Sequence, residues 1–367
     1  MISKRRALFA LQLKIRRLYN RISMQKKKKI LFDCPYDFHY SHLQPLIEVL
    51  RRYPEFDLTV VKTEDFSQAQ LDGVRYVDAD TLQRETFTVY DIHFTTDFGV
   101  FRWWFCGVTR IFFLHGVGPK VSYFASEKLR VFDVVLVPGP YVESKQRVFL
   151  KKDAVLYPAG LPVTDRYFFE NEHSLPDYIK FEEKKPILLY APSWSSDPCQ
   201  VSIDLDILHA LSSQIICNVI IRPHPNLLVP EMCAGIRWKE IIEEIAFKNR
   251  RIFLHAGRGT SVYEILGCAD ILLGDISSVV YEYLALDRPI ILYLKKGVEE
   301  FYQSEEFVLE TRRASRNIND PAMLSDTISK CLQDKNSLSA ERRKMLAQSL
   351  YNPGRAIPQI IKVLAKL

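Results

Sequence analysis

Two histidines stand where a parallel sheet would place its chemistry. His115 follows the apolar run 111–114 and opens the segment LHGVGPK, while His224 follows the apolar run 219–221 inside IRPHP. Imidazole is the side chain best suited to accept a proton near neutral pH. A single histidine at a strand end is often a hydrogen-bonded packing residue. Two of them, one in each half of the chain and both set in Gly/Pro turns, point instead to chemistry. His115 is read as the proton acceptor, and His224 as a fixed ligand group stiffened by Pro223 and Pro225. Arg222 beside it carries a planar fork that matches phosphate oxygens. Gly116 and Lys120, just after His115, are read as an acceptor- or phosphate-binding pair, although a lone lysine at this spacing also suits a plain surface position.

The segment 269–293, ADILLGDISSVVYEYLALDRPIILY, supplies the matching anion site. Its order is strand, turn, helix, strand, which is the βαβ unit of a parallel sheet. The turn falls at the carboxyl edge of the sheet, where such folds bind ligands. Asp275, Ser277 and Ser278 occupy that turn, and hydroxyls and free N–H groups at a helix start suit a phosphate or diphosphate. Ser193 and Trp194, in LLYAPSW, form a further strand-end loop, with Trp194 serving either the ligand or the packing. Glu264 follows the turn 257–261 and offers a carboxylate to a ribose, or stands as an exposed helix acid. These residues define the expected donor site.

Other chemistries lack their residues. There is no HExxH or CxxC pattern, so no structural metal is indicated, and no DxD triplet at a strand end suggests a metal-held nucleotide. A P-loop and a GxSxG nucleophile elbow are missing, and GRGTS does not have the dinucleotide spacing. No cofactor is implied. The seven cysteines are scattered, odd in number and without a CxxC pair, as expected of buried free thiols. Eleven of the 50 basic residues lie in residues 1–29, which hold no acid, so the other 39 face all 44 acids. The body is mildly acidic, which argues against a nucleic-acid partner.

Apolar runs and amphipathic stretches alternate along the chain. Strands are expected at 29–33, 58–62, 89–93, 111–114, 134–137 and 154–157, with a helix at 42–52. A polar segment, 166–185, reads as a linker. Strands then recur at 187–190, 215–221, 251–254, 271–273 and 290–293, with helices at 203–212, 238–247, 260–268 and 279–286. The expected fold is α/β, with two Rossmann-like parallel-sheet domains facing a cleft, a GT-B-like arrangement. The expected divisions are a basic leader over 1–28, an acceptor domain over 29–165, the linker, a nucleotide-donor domain over 186–350, and a C-terminal helix over 351–367 that packs back on the first domain.

In their order, LHGVGPK, YPAGLPVTD, LLYAPSW, IRPHP and the 269–293 segment resemble the CDP-glycerol glycerophosphotransferase family, the teichoic-acid primases and polymerases of bacterial envelopes. The resemblance covers 110–295 well and extends weakly to NPGRA at 352–356. The family's HGT-xx-K motif falls on His115, Gly116 and Lys120, with Val117 in place of threonine. Its KPHP falls on Arg222 to Pro225, and its DYSS on Asp275, Ile276, Ser277 and Ser278. Its GYPRxD falls on Gly160, Pro162 and Asp165, with Val163 in place of arginine. The resemblance implies transfer of glycerol phosphate, or another alditol phosphate, from CDP-glycerol or another CDP-alditol to a lipid-linked or polymer acceptor. It also implies a peripheral position on the cytoplasmic face of the cell membrane. Two other readings stay open: a GT-B glycosyltransferase or nucleotide-sugar 2-epimerase on the same fold, and a non-catalytic scaffold of an envelope assembly.

In the leader, Leu8, Leu11, Ile15, Leu18 and Ile22 recur at spacings of three and four beside the cations. Such a stripe suits a helix lying on an anionic membrane, and a solvated basic arm is the alternative. Each cation near the surface adds about 1 kcal/mol of attraction. The full chain is therefore expected to co-sediment with phosphatidylglycerol vesicles at low salt, and a chain starting at Lys29 to stay in the supernatant. Equal pelleting of the two at low and high salt would remove the leader from membrane binding.

Overall fold

The computed structural model describes residues 27–34, 37–62, 66–84, 90–98, 109–119, 121, 124–169, 173–195, 202–256, 260–275, 277–295 and 305–367. The chain forms two compact units. The first comprises 1–115, 124–165 and 351–367, and the second comprises 116–123 and 166–350. Most of the leader, 1–26, lies outside the described residues. Among the described residues no helix is long and apolar enough to cross a membrane.

The first unit is built on β1 (Lys28–Asp33), α1 (Asp37–Leu50), β2 (Phe56–Lys62), β3 (Arg75–Asp78), α2 (Ala79–Arg84), β4 (Ile92–Thr95), β5 (Thr109–Phe113), β6 (Val134–Val137), α3 (Pro140–Gln146), β7 (Val155–Pro158) and α4 (Pro162–Asp165). Its seven strands run parallel in the order β3-β2-β1-β4-β5-β6-β7. Strands covered on both faces need apolar side chains on both, and β6 is VVLV, buried at every position. The order departs in opposite directions from β1 and β4, so the junction between these two strands is the switch point of the sheet.

The C-terminal helix, Ala356–Lys366, belongs to this unit and is held at both ends. At its start the Asp165 carboxylate accepts the N–H groups of Ala356 and Ile357 at 3.0 and 2.8 Å. At its end the Lys28 ammonium donates to the Leu364 carbonyl at 2.9 Å. Each charge faces the helix pole that favours it. Gly160 adopts φ +87°, and a Cβ there would lie 2.3 Å from the Tyr351 carbonyl oxygen. The GLPVTD and NPGRA segments are thus two halves of one structural joint, which explains their glycine and aspartate.

The second unit contains β8 (Ile187–Ala191), α5 (Leu205–Ser213), β9 (Asn218–Ile221), α6 (Trp238–Lys248), β10 (Ile252–Leu254), β11 (Ile271–Gly274), α7 (Ser278–Tyr283), β12 (Ile290–Tyr293), α8 (Glu305–Arg313), β13 (Arg316–Ile318), α9 (Leu324–Gln333) and α10 (Ser339–Ser349). Six parallel strands lie in the order β10-β9-β8-β11-β12-β13, with the switch point between β8 and β11. Leu188, Tyr190, Val219, Ile221, Ile271 and Leu273 fill one face of the sheet. Arg342 of α10 is 2 % exposed, and its guanidinium donates to the side chain and carbonyl of Asp287. That pairing locks α10 to the turn that enters β12.

Three local expectations are corrected. The helix expected at 260–268 is two 3-10 turns, Val262–Glu264 and Leu266–Cys268. Within the second, Gly267 has no room for a side chain, because a Cβ there would meet the His173 ring at 2.5 Å. The helix expected from 42 begins at Asp37, which brings His39 onto it. The edge strands β3 and β13 were not anticipated. Cys217, Cys233, Cys268 and Cys331 are free thiols.

Candidate functional site

In the second unit the carboxyl ends of four adjacent strands carry polar side chains in spatial sequence: His255 after β10, Arg222 to His224 after β9, Ser193 and Trp194 after β8, and Asp275 with Ser277 after β11. Asp275 ties the last two, the loops after β8 and β11, together. Its carboxyl is fully buried, and Oδ2 accepts from the Ser193 N–H at 2.9 Å, the Ser193 hydroxyl at 2.7 Å and the Ser202 hydroxyl at 2.9 Å. Its role in this structure is therefore to set the loops across the switch point. Ser277 precedes α7, and its hydroxyl oxygen is buried without a hydrogen-bond partner among the described residues. A buried hydroxyl left unpaired costs stability. Ile276 lies outside the described residues.

His224 caps the turn Pro225–Leu228, its Nδ1 accepting from the Asn226 N–H at 3.2 Å. With Nδ1 an acceptor, the neutral ring carries its proton on Nε2, a donor suited to an anion. The ring stacks on Trp194, with centroids 6.1 Å apart and planes 24° apart. Trp194 in turn donates its indole N–H to the Met232 carbonyl at 3.0 Å. Arg222 is held by the carbonyls of Pro223 and Thr260, and its Nε is buried without a hydrogen-bond partner among the described residues. Burial lowers its pKa to about 10, with Glu264 and Tyr178 acting the other way, so the guanidinium stays charged at neutral pH.

Glu264 is already engaged. Oε1 accepts from the Ser261 N–H at 2.8 Å, completing a capping box, and Oε2 accepts from the Tyr178 hydroxyl at 2.6 Å. The Tyr178 oxygen also meets His255 Nε2 at 3.0 Å. Burial pushes the Glu264 pKa up, but the hydrogen bonds from His255, Tyr178 and Ser261 prevail and hold it at about 2. Tyr178 and His255 escaped the sequence reading. Tyr178 lies in the segment read as a linker, with nothing local to mark it. His255 had the same signal as the other two histidines, a position directly after an apolar strand.

Gly116 lies against α7: a Cβ there would sit 3.0 Å from the Ser278 Cβ and 3.6 Å from Glu282 Oε1. A side chain there would make Ser278 give way by a few tenths of an ångström. Lys120 lies outside the described residues. Glu282 is fully buried, and burial raises its pKa to about 8 against the Tyr263 hydrogen bond. Nothing in a helix reading VVYEYL marks that glutamate as buried.

In the first unit His115 follows β5. Its Nδ1 meets the Thr96 carbonyl oxygen at 3.2 Å, so Nδ1 carries the proton and Nε2 the lone pair. Burial lowers its pKa, with the Thr96 carbonyl and Asp97 opposing. The ring is therefore neutral, with its basic nitrogen turned away from the anchoring carbonyl. The rings of His39 and His42 lie 4.5 and 5.3 Å from it. Among the described residues no group of three or more His, Cys, Asp or Glu could hold a metal ion.

Two parallel α/β sheets, each carrying its polar side chains at strand ends, define a GT-B-like protein. The profile of the CDP-Glycerol:Poly(glycerophosphate) glycerophosphotransferase family matches residues 122–365, and the chain belongs to that family. It is 29% identical over 166 residues to the teichoic acid glycerol-phosphate primase of Bacillus subtilis, covering 42% of this chain and 39% of that protein. It is 27% identical over 201 residues to the teichoic acid ribitol-phosphate primase of Bacillus spizizenii, covering 52% and 48%. The chain spans about half the length of the curated relatives it matches. The fold matches a solved structure of the wall teichoic acid polymerase TagF with a TM-score of 0.66 at 16% identity, covering 99% of this chain and 97% of that one.

The buried Glu282 has a measurable consequence. Its folded pKa, about 8, lies above the ordinary 4.5. The stability it contributes is therefore full below pH 4.5 and is lost as pH rises through 8, at about 1.4 kcal/mol per pH unit within that window. Glu282→Gln cannot ionise. The melting temperature of wild type should fall relative to the variant between pH 5 and pH 8.5. A constant difference between the two proteins over that range would mean that Glu282 does not titrate there.

Proposed function

We propose that this chain transfers an alditol phosphate, glycerol phosphate in the first place, from a CDP-activated donor to an acceptor hydroxyl in cell-envelope polymer synthesis. The observation that carries the reading is the adjacency of Arg222, His224, Ser193, Asp275 and Ser277 at the carboxyl ends of β9, β8 and β11, in a chain of this family. The names of its relatives, which include both a glycerol-phosphate and a ribitol-phosphate primase, support the alditol class. The acceptor is a lipid-linked or polymer hydroxyl, and the basic leader brings the enzyme to an anionic membrane surface.

In this mechanism the donor diphosphate is held by the Arg222 guanidinium, the His224 Nε2–H and the hydroxyls of Ser277 and Ser278. Asp275 acts through Ser193, keeping that loop in place. Trp194 and Glu264 border the nucleoside, while Gly116 and Lys120 serve the acceptor or its phosphate. His115 Nε2 takes the proton of the acceptor hydroxyl as its oxygen attacks phosphorus. The bond from phosphorus to the CMP oxygen breaks, and the donors already in place stabilise the charge that collects on CMP.

The two histidines should then fail differently. His115→Ala should leave donor affinity nearly intact and cut turnover by roughly 10²–10⁴, the usual worth of a positioned general base. His224→Ala should weaken donor binding as well as turnover, because it contacts phosphate in the ground and transition states alike. Ser277→Ala should resemble it more mildly. Calorimetry with CDP-glycerol beside steady-state rates makes the distinction. Near-full transfer by His115→Ala would make His115 a packing residue.

A further inference from the structure

The helix α1 brings two more histidines to His115. Positions 39 and 42 are one helical turn apart and share a face. The residues around them on that helix, Tyr40, Leu43, Leu46 and Ile47, are fully buried apolar core. His39 is itself only 2 % exposed. Its ring centroid lies 4.5 Å from that of His115 with planes 37° apart, and that of His42 lies 5.3 Å away at 55°. An aromatic or aliphatic side chain would fill either position without the desolvation cost of an imidazole. The helix therefore interrupts its apolar face just where it meets the ring of His115.

We propose that His39 and His42 are positioning residues for His115, forming with it one cluster that is neutral at rest and takes its one added proton on His115. The proposal rests on the reading of His115 as the base. Two features of the site carry it. The first is the wall of rings, which together with the Thr96 carbonyl fixes the plane of the His115 imidazole and the direction of Nε2. The second is electrostatic. Imidazolium rings at 4.5 and 5.3 Å repel, so protonating one keeps the others neutral. The Thr96 carbonyl and the Asp97 charge both favour the protonated form of His115. His39 and His42 are pushed well down by burial and then by His115, with His42 adding to the effect on His39.

At the same switch point Asp33 of β1 meets His93 of β4 at 3.3 Å. When the acceptor hydroxyl gives its proton to His115 Nε2, the new imidazolium lies against two neutral, dipolar rings instead of hydrocarbon. The proton then leaves to water before the next cycle.

The test is a histidine-ring NMR titration of the full chain between pH 5 and 8, joined to steady-state kinetics. In wild type the His115 ring should titrate while His39 and His42 stay neutral throughout. Independent titration of His39 or His42 near 6.5 would overturn the proposal. This measurement needs no donor, so it stands apart from the proposed reaction, which fails separately if wild type turns over no CDP-alditol. Kinetically, His39→Phe should lower kcat at least tenfold and move the acid limb of its pH profile to lower pH, because the imidazolium loses a dipolar neighbour. Its KM for CDP-glycerol should change less than twofold. His39→Gln, which keeps a dipole, should recover most of the rate. A folded His39→Phe protein with unchanged kcat and pH profile would make His39 simple packing. Should that variant not fold, the wild-type titration and His42→Gln, with the same expected KM, still decide the matter.

Discussion

The second unit depends on one buried carboxyl. Asp275 sits at the end of β11 with no access to water, and a polar group there is tolerated only if donors meet it. Ser193 brings two and Ser202 a third, all to the same oxygen. The requirement therefore pins the loop after β8, and the residue that leads toward α5, to the end of β11. Those are the strands on either side of the switch point. With that loop fixed, Trp194 is placed to stack on His224 and Ser277 is left with its hydroxyl buried and unspent. Losing the carboxyl would release three donors at once, which is why its part is structural as much as chemical.

The two units apply one architecture to opposite electrostatic tasks. In the first, burial keeps His115 neutral, and a backbone carbonyl orients its basic nitrogen. In the second, carbonyls hold Arg222, which remains cationic although burial lowers its pKa. The tautomers differ accordingly: Nδ1 is the donor in His115 and the acceptor in His224. The proposed base and the proposed phosphate ligand thus offer opposite ends of the ring, and the backbone partner decides which end each offers.

Much of this was legible in the chain itself. The β11–α7–β12 unit was clear because its apolar runs are long, buried on both faces and cut by Gly274-Asp275 and Arg288-Pro289. His115, His224 and Asp275 stand out because each follows such a run. The misses have physical causes. β3 is a mostly exposed edge strand, RYVD, and β13 spans three residues, so neither carries an apolar run. The amphipathic pattern at 260–268 suggested one helix, but the Ser261–Glu264 capping box and the tight contact at Gly267 break it into two turns. Glu264 was read as open to a ribose, whereas Tyr178, 86 residues away, already occupies one of its oxygens. His39 was hidden because α1 begins five residues before its apolar periodicity becomes visible.

The central claim is the class of donor. The most direct measurement is mass spectrometry of the products formed when the full chain is incubated with a hydroxyl-bearing lipid acceptor and, separately, CDP-glycerol, CDP-ribitol and a set of UDP-sugars. The account predicts release of CMP and an acceptor heavier by one alditol phosphate, with CDP-glycerol the preferred donor and the UDP-sugars untouched. Consumption or epimerisation of a UDP-sugar, with both CDP-alditols returned intact, would contradict it.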